Sequence, residues 1–98
     1  MTIDKDIQNN VMTLKLSGRL DTTTSPELEQ VLKESIDGIE DLRMDFSDLE
    51  YISSDSLRIL LSAQKTMKKQ GEMSITGVND TISEIFEITG FSDILTIR

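Results

Sequence analysis

The chain of 98 residues contains neither cysteine nor histidine. Their absence excludes disulfide bonds, thiolate or imidazole nucleophiles and the commonest zinc ligands. The N-terminal segment has no apolar core of the kind found in signal peptides, and no run approaches the roughly 18 apolar residues of a membrane span. We therefore expect a cytoplasmic protein that has no metal or cofactor of its own and does not associate with a membrane.

Acidic residues dominate the charge of the chain. Eighteen Asp and Glu against ten Lys and Arg give a formal net charge of −8. This charge repels phosphate backbones at long range, so we expect no nucleic-acid partner. The apolar share of 37% and the single proline fit a globular chain. At this length, we expect one domain over residues 1–98.

Alternation of apolar and polar residues predicts the strands of a sheet. Three segments show it clearly: VMTLKLSGRL, LRMDFS and EMSITGV. The opening MTIDKDIQ is a weaker candidate whose charges suit an edge strand, and Asn9 and Asn10 would then form the turn of a hairpin.

Helical periodicity bounded by capping residues predicts three helices. Their predicted limits are Thr24 or Ser25 to Gly38, Leu57 to Gln70 with Gly71 as the stop, and Asn79 to Gly90. In the second helix, Leu57, Leu60, Leu61, Gln64 and Met67 would share the core-facing side, widened by Ile59 and Ala63. The order of elements predicts an α/β fold: a mixed, mostly parallel sheet of about four strands covered by helices.

Four small polar residues, which we call the polar quartet, separate the apolar pair Tyr51-Ile52 from the second helix. They are Ser53, Ser54, Asp55 and Ser56. Loops that follow the carboxyl end of a strand and enter a helix are where ligands and functional groups collect in such sheets. The simplest interpretation is that Ser53 or Ser54 caps the helix, Ser53 being the better candidate.

Three chemical functions compete with capping. A serine hydrolase, suggested by the stretch SDSL, would require a base such as histidine, which the chain lacks. Nucleotide binding is disfavoured because no P-loop pattern occurs and the quartet itself carries Asp55. A serine exposed at a helix start could instead accept a phosphoryl group from the ATP of another protein, and the positive end of the helix dipole would tolerate the added charge.

The sequence as a whole resembles the STAS domain family (sulfate transporter and anti-sigma-factor antagonist), specifically its free-standing bacterial anti-sigma-factor antagonists. Three stretches carry the resemblance: LSGRLDTTTSPELEQVL, LRMDFSDLEYISSDSLRILL and IFEITGFSDILTI. The resemblance implies that Ser54 is the phosphorylated serine and that Asp21 lies on the loop beside it. Asp55 and Ser56 depart from the family pattern, which usually has a small neutral residue and a glycine at these positions.

This resemblance implies an anti-sigma-factor antagonist with no catalysis of its own. It would bind a cognate anti-sigma factor with serine kinase activity and release it when Ser54 is phosphorylated, and ATP and magnesium would belong to that partner. Converging loops and the basic side of the second helix predict the partner surface. Its predicted residues are Asp21, Thr22, Ser53, Asp55, Ser56, Arg58, Ser62 and Lys65.

Two alternatives remain open from the sequence. One is a constitutive STAS subunit of a lipid-transport or signalling assembly, which would use the same helix face without being phosphorylated. The other is a module that binds a small ligand or nucleotide at the loop.

Overall fold

A four-stranded sheet is the framework of the computed structural model, which describes residues 1–98. Its strands, in spatial order, are β1 (Thr2–Gln8), β2 (Val11–Leu20), β3 (Asp41–Ile52) and β4 (Glu72–Thr76). β1 is antiparallel to β2, whereas β2 with β3 and β3 with β4 are parallel. The predicted mixed, mostly parallel sheet and the weak edge strand are both confirmed.

Three α-helices and two short 3-10 turns connect the strands. The helices are α1 (Ser25–Ser35), α2 (Leu57–Gln70) and α3 (Asp80–Thr89). The 3-10 turns span Ser54–Ser56, directly before α2, and Phe91–Asp93, after α3. The predicted limits of α2 are confirmed. None of the helices is long and apolar enough to cross a membrane.

The helix ends agree only partly with the predicted caps. The side chain of Asn79 accepts a hydrogen bond from the backbone N–H of Ile82 at 2.8 Å and so caps α3, as predicted. Gly90 ends that helix in the left-handed conformation, and Gly71 ends α2. By contrast, α1 ends at Ser35, before the predicted stop at Gly38; its C-cap is Ile36, whose backbone N–H donates to the Leu32 carbonyl.

The core lies between one face of the sheet and the helices. On β2, Met12, Leu14 and Leu16 are fully buried, as the alternation predicted, and they join residues of all three helices in one cluster. Lys15 and Arg43 point to the opposite, exposed face of the sheet. One face of the sheet is therefore packed against the helices, and the other is exposed.

The buried side of α2 is rotated from the predicted one. Its buried residues include Ile59 and Ala63, whereas Leu61 and Gln64, which were predicted to face the core, are only half-buried. The reason is the position of α1, which packs beside α2 and covers the side of the helix that carries Ile59.

β3 is also longer than LRMDFS predicted, since it extends to Ile52 at the edge of the polar quartet. Irregularities of register between Lys15 and Ser17 and between Gly18 and Arg19 keep β2 paired with β3 along this extension. At the end of the chain, Ile97 forms a parallel bridge to Ile75 of β4.

Candidate functional site

Two loops meet where β2 and β3 end. Leu20 and Ile52, the last residues of the two strands, are partners in the parallel register. The backbone N–H of Ser53 donates a hydrogen bond to the carbonyl of Leu20 at 2.9 Å. The loop that begins at Asp21 and the polar quartet are thus neighbours at one edge of the sheet, as the predicted convergence of strand ends requires.

The side chain of Asp21 organises the first loop. Its Oδ1 accepts hydrogen bonds from the backbone N–H groups of Thr23 at 3.0 Å and Thr24 at 3.1 Å. The Thr24 N–H is the largest cause that holds the pKa of the Asp21 carboxyl below its ordinary value, while desolvation acts in the opposite direction. The hydroxyl of Thr24 donates to the carbonyl of Arg19 at 2.8 Å. Asp21 is therefore an ionised part of the loop scaffold.

Thr24 is the N-cap of α1, one of the two predicted residues, and these bonds explain why its side chain does not cap the helix. Thr24 occupies the N-cap position but makes no side-chain capping bond, and the backbone of Ser25 already belongs to the helix. Asp21 supplies the carboxylate that accepts the Thr24 N–H instead. The competing local bond of an Asp side chain to the backbone two or three residues later is typical of such turns.

A chain of hydroxyl groups joins the two loops below the surface. The Ser25 hydroxyl donates to the carbonyl of Asp21 at 2.6 Å, so its oxygen is left to accept from Ser56, whose Oγ lies 2.5 Å away. The Oγ of Ser53 lies 2.9 Å from that of Ser56, so Ser53 is the donor in this contact. The Leu20 carbonyl, 3.3 Å from the Ser56 Oγ, is a longer alternative acceptor. We call Ser53, Ser56 and Ser25 the serine chain.

The serine chain corrects two expectations about the quartet. Ser53 makes no side-chain cap to the helix, and α2 begins without one, because the Ser53 hydroxyl is directed to Ser56. Ser56 is fully buried, so the predicted contact of its side chain with a partner does not fit the structure. Its role is internal, because it carries the hydrogen bond from one loop to the other.

Ser54 differs from the other two serines of the quartet. It is exposed, and its hydroxyl makes no hydrogen bond within the protein, whereas those of Ser53 and Ser56 are engaged with each other. The neighbouring Asp55 is also exposed, and its Oδ2 accepts a hydrogen bond from the Thr22 hydroxyl at 3.3 Å. The free hydroxyl of the quartet therefore stands at the helix entry, beside a carboxylate that is tied to the opposite loop.

A shallow depression of about 310 Å³ lies beside this position. It is lined by residues of both loops, of α1 and of α2: Thr22, Ser25, Pro26, Glu29, Asp55, Arg58 and Ile59. A guanidinium nitrogen of Arg58 lies 3.5 Å from the Glu29 Oε2, across the entrance between the two helices. Ser62 and Lys65 follow Arg58 on the exposed side of α2. The predicted surface residues thus share one end and one side of the molecule, Ser56 excepted.

Arg19 and Tyr51 belong to the same edge and were missed in the sequence. The Arg19 guanidinium lies 4.6 Å from the centre of the Tyr51 ring, and its Nε lies 3.9 Å from the Asp21 Oδ2. Arg19 and Tyr51 are partners in the β2–β3 register. The register shift that pairs them is invisible in the sequence, although the position of both residues just before the two loops was a usable signal.

The structure offers no group of three or more Asp or Glu side chains placed to hold a metal ion. The depression has Glu29 and Asp55 on its walls and one cation, Arg58. It lacks the glycine-rich backbone cradle that binds nucleotide phosphates. What this edge presents to the surface is the free hydroxyl of Ser54, two carboxylates and the guanidinium of Arg58.

The fold is a single α/β domain in which the Asp21 loop and the polar quartet lie together at the carboxyl ends of two parallel strands. The model of the STAS domain family matches residues 2–98, and the chain belongs to that family.

Relatives and solved structures are consistent with this membership. The chain is 32% identical over 100 residues to the anti-sigma-B factor antagonist of Staphylococcus aureus (strain NCTC 8325 / PS 47), covering 100% of this chain and 93% of that protein. It superposes with a TM-score of 0.88 on an anti-sigma factor antagonist from Mycobacterium paratuberculosis, at 23% identity and covering 98% and 83% of the two chains. The Bacillus cell fate determinant SpoIIAA in its phosphorylated form has a TM-score of 0.77 at 13% identity, covering 99% and 91%. The likeness to these two structures shows the fold.

Proposed function

We propose that this protein is an anti-sigma-factor antagonist that binds an anti-sigma factor through the edge formed by the Asp21 loop, the polar quartet and the exposed side of α2. The observation that carries the proposal is the free, exposed hydroxyl of Ser54 at the point where both loops meet. The named activity of the Staphylococcus aureus relative over the full length of this chain supports it.

We further propose that the partner is a serine kinase and that Ser54 is its substrate. The Ser54 Oγ would attack the γ-phosphorus of ATP held by the partner, ADP would leave, and the hydroxyl proton would pass to a base of the kinase. Neither a histidine nor a metal ion of this protein is required. A protein of the same fold has a phosphorylated form, which supports this step.

Phosphorylation would release the partner through electrostatic repulsion and the cost of desolvating the phosphate. A phosphoserine carries about −1.5 to −2 charges at neutral pH and is strongly hydrated. At the start of α2 the helix dipole stabilises this charge, whereas a surface complementary to the bare hydroxyl is repelled. Converting a mostly bound to a mostly free population requires about 10⁴-fold weaker binding, roughly 5.5 kcal/mol, which loss of several contacts around the phosphate can supply.

Copurification from the source cell followed by phosphorylation tests both parts. The tagged protein should capture an ATPase with serine kinase activity, and incubation with ATP should label Ser54, as located by mass spectrometry. The variant Ser54→Ala should bind and remain unlabelled, and Ser53→Ala should still be labelled on Ser54. Label on Ser53 or Ser56 would refute the assignment of the acceptor.

Charge reversal tests the location of the surface. Asp21→Lys and Arg58→Glu should each weaken the complex at least 10-fold, since both residues border the contact edge. Glu87→Lys on α3 is the matched control, an exposed charge on a different helix, and should bind as the wild type does. If both of the first two variants fold correctly and bind with unchanged affinity, the partner does not bind at this edge.

One observation favours a second function, that of a constitutive subunit in a lipid-transport or signalling assembly. The exposed carboxylate of Asp55, adjacent to Ser54, places a permanent negative charge where phosphorylation would add one. A protein of this kind would copurify with a transporter ATPase, and its Ser54 would remain unlabelled while binding stays tight.

A further inference from the structure

The charges around Ser54 are unevenly balanced. The depression beside it has two carboxylates, those of Glu29 and Asp55, and a single cation, Arg58. Arg58 is paired with Glu29 at 3.5 Å, but its side chain is 73% exposed and that of Glu29 is 44% exposed. Exposed ion pairs of this kind are weak and exchange readily. A stronger anion placed within reach of Arg58 would therefore displace Glu29.

Ser54 is within that reach by its position in the chain. The 3-10 turn Ser54–Ser56 continues into α2 without a break, since Ser56 itself has helical dihedral angles (φ −71°, ψ −20°). Ser54 and Arg58 are four residues apart, the spacing that brings side chains together on one side of a helix. A guanidinium group matches the geometry of a phosphate, with which it forms paired, charge-assisted hydrogen bonds.

We propose that Arg58 exchanges its partner when Ser54 is phosphorylated: it leaves the carboxylate of Glu29 on α1 and binds the new phosphate. This inference rests on the proposed modification of Ser54. Its consequence is that one modification alters two places on the surface, because it occupies the only cation of the depression and leaves Glu29 unpaired. A partner that binds Arg58 in the unmodified protein would lose that contact in addition to meeting the phosphate.

Other charged groups at this edge cannot easily replace Arg58. The Arg19 guanidinium lies over the Tyr51 ring and faces Asp21, whose carboxylate is held by the backbone of its own loop. Lys65 is on α2 but seven residues beyond Arg58, about two turns along the helix. Asp55 faces the Thr22 hydroxyl and adds to the negative charge.

The test uses the whole protein with phosphoserine incorporated at position 54 during synthesis, so that no kinase is needed. Phosphorus NMR measures the second pKa of the phosphate, which is about 6 without a partner. Arg58 should lower this pKa, and Arg58→Gln should raise it by about 0.5, the size expected for one exposed ion pair. Lys65→Gln, the matched control, should leave it unchanged. The difference caused by Arg58→Gln should shrink in 1 M salt, where the screening length is about 3 Å.

The same pKa in the wild type and in Arg58→Gln, with both proteins folded by their amide NMR spectra, would overturn the exchange. An equal rise in Lys65→Gln would also overturn it, since it would mean that the general charge of the helix and not Arg58 sets the pKa. Failure of the proposed function is seen separately, as the absence of a labelling kinase in the copurification, and does not affect the NMR measurement.

Discussion

The hydroxyl oxygens of Ser25 and Ser56 lie 2.5 Å apart in the buried layer between the start of α1 and the start of α2. Ser25 donates onward to the Asp21 carbonyl, so the contact ties the Asp21 loop to the polar quartet. Buried hydrogen bonds consequently link the two loops, and of the serines in the quartet only Ser54 retains a free hydroxyl.

Removing the central hydroxyl should destabilise the protein. Ser56→Ala loses the hydrogen bonds to both Ser25 and Ser53, each worth about 1 kcal/mol. We expect the free energy of unfolding in urea to fall by about 1–2 kcal/mol. Ser54→Ala is the control, and because Ser54 is exposed and unbonded we expect a change within about 0.5 kcal/mol. Equal effects of the two substitutions would contradict the serine chain.

The ionised state of Asp21 should make stability depend on pH in a defined direction. Its pKa in the folded protein is below the ordinary value of 3.8, chiefly because the Thr24 N–H stabilises the carboxylate. The unfolded chain therefore takes up the proton first as the pH falls. The stabilisation by Asp21 is present above the unfolded pKa, near 3.8, and is lost as the pH falls through the lower folded pKa.

Asp21→Asn keeps an oxygen acceptor but cannot ionise, so its comparison with the wild type measures the contribution of this one charge to stability. Its free energy of unfolding should be lower than that of the wild type at neutral pH, and the difference should diminish below about pH 4. Carbon NMR of the Asp21 carboxyl should give a titration midpoint below 3.8. A midpoint at or above that value, or a difference from the wild type that does not change with pH, would contradict the assignment.

Asn79 should contribute more to the stability of the fold than any other asparagine. Its Oδ1 caps α3, and its Nδ2 donates to the carbonyls of Leu49 and Glu50 at 3.2 Å, so the side chain also anchors the helix to β3. Asn79→Ala should cost about 1–2 kcal/mol in urea unfolding. Asn10→Ala removes only a 3.4 Å contact with exposed Glu40 and should change stability by less than about 0.5 kcal/mol.

Two glycines with similar backbone angles should respond differently to alanine. Gly38 has φ +80° and open space around it. Gly38→Ala should therefore lower the free energy of unfolding by about 1–2 kcal/mol, the cost of placing alanine in the left-handed conformation. Gly77 has φ +75°, and an added Cβ would lie 2.7 Å from the backbone nitrogen of Ser47. Gly77→Ala should therefore cost roughly 1–3 kcal/mol more. Equal losses in thermal or urea unfolding would show that the approach of Gly77 to β3 is not tight.

The order of elements and their type followed from local patterns in the chain. Alternation placed Met12, Leu14 and Leu16 on the buried face of β2, and the capping residues Asn79 and Gly90 located the ends of α3. These features depend on residues close in sequence, whose spacing and capping chemistry are visible before folding. The identity of Ser54, Asp21 and Arg58 as residues of one edge also followed, because parallel strands bring their carboxyl ends together.

Only the tertiary structure decided how the hydroxyls of that edge are used. Ser53 is a good cap by residue type, yet its hydroxyl is directed to Ser56, and Ser56 is buried against Ser25, which lies 31 residues earlier. The pairing of Arg58 with Glu29 and of Asp55 with Thr22 joins side chains about 30 residues apart in the same way. Local sequence sets the propensity of each segment, but the angle and rotation at which α1 and α2 pack determine which polar groups are within hydrogen-bond distance. Those packing contacts are made between segments that are remote in the chain, and therefore no local pattern contains them.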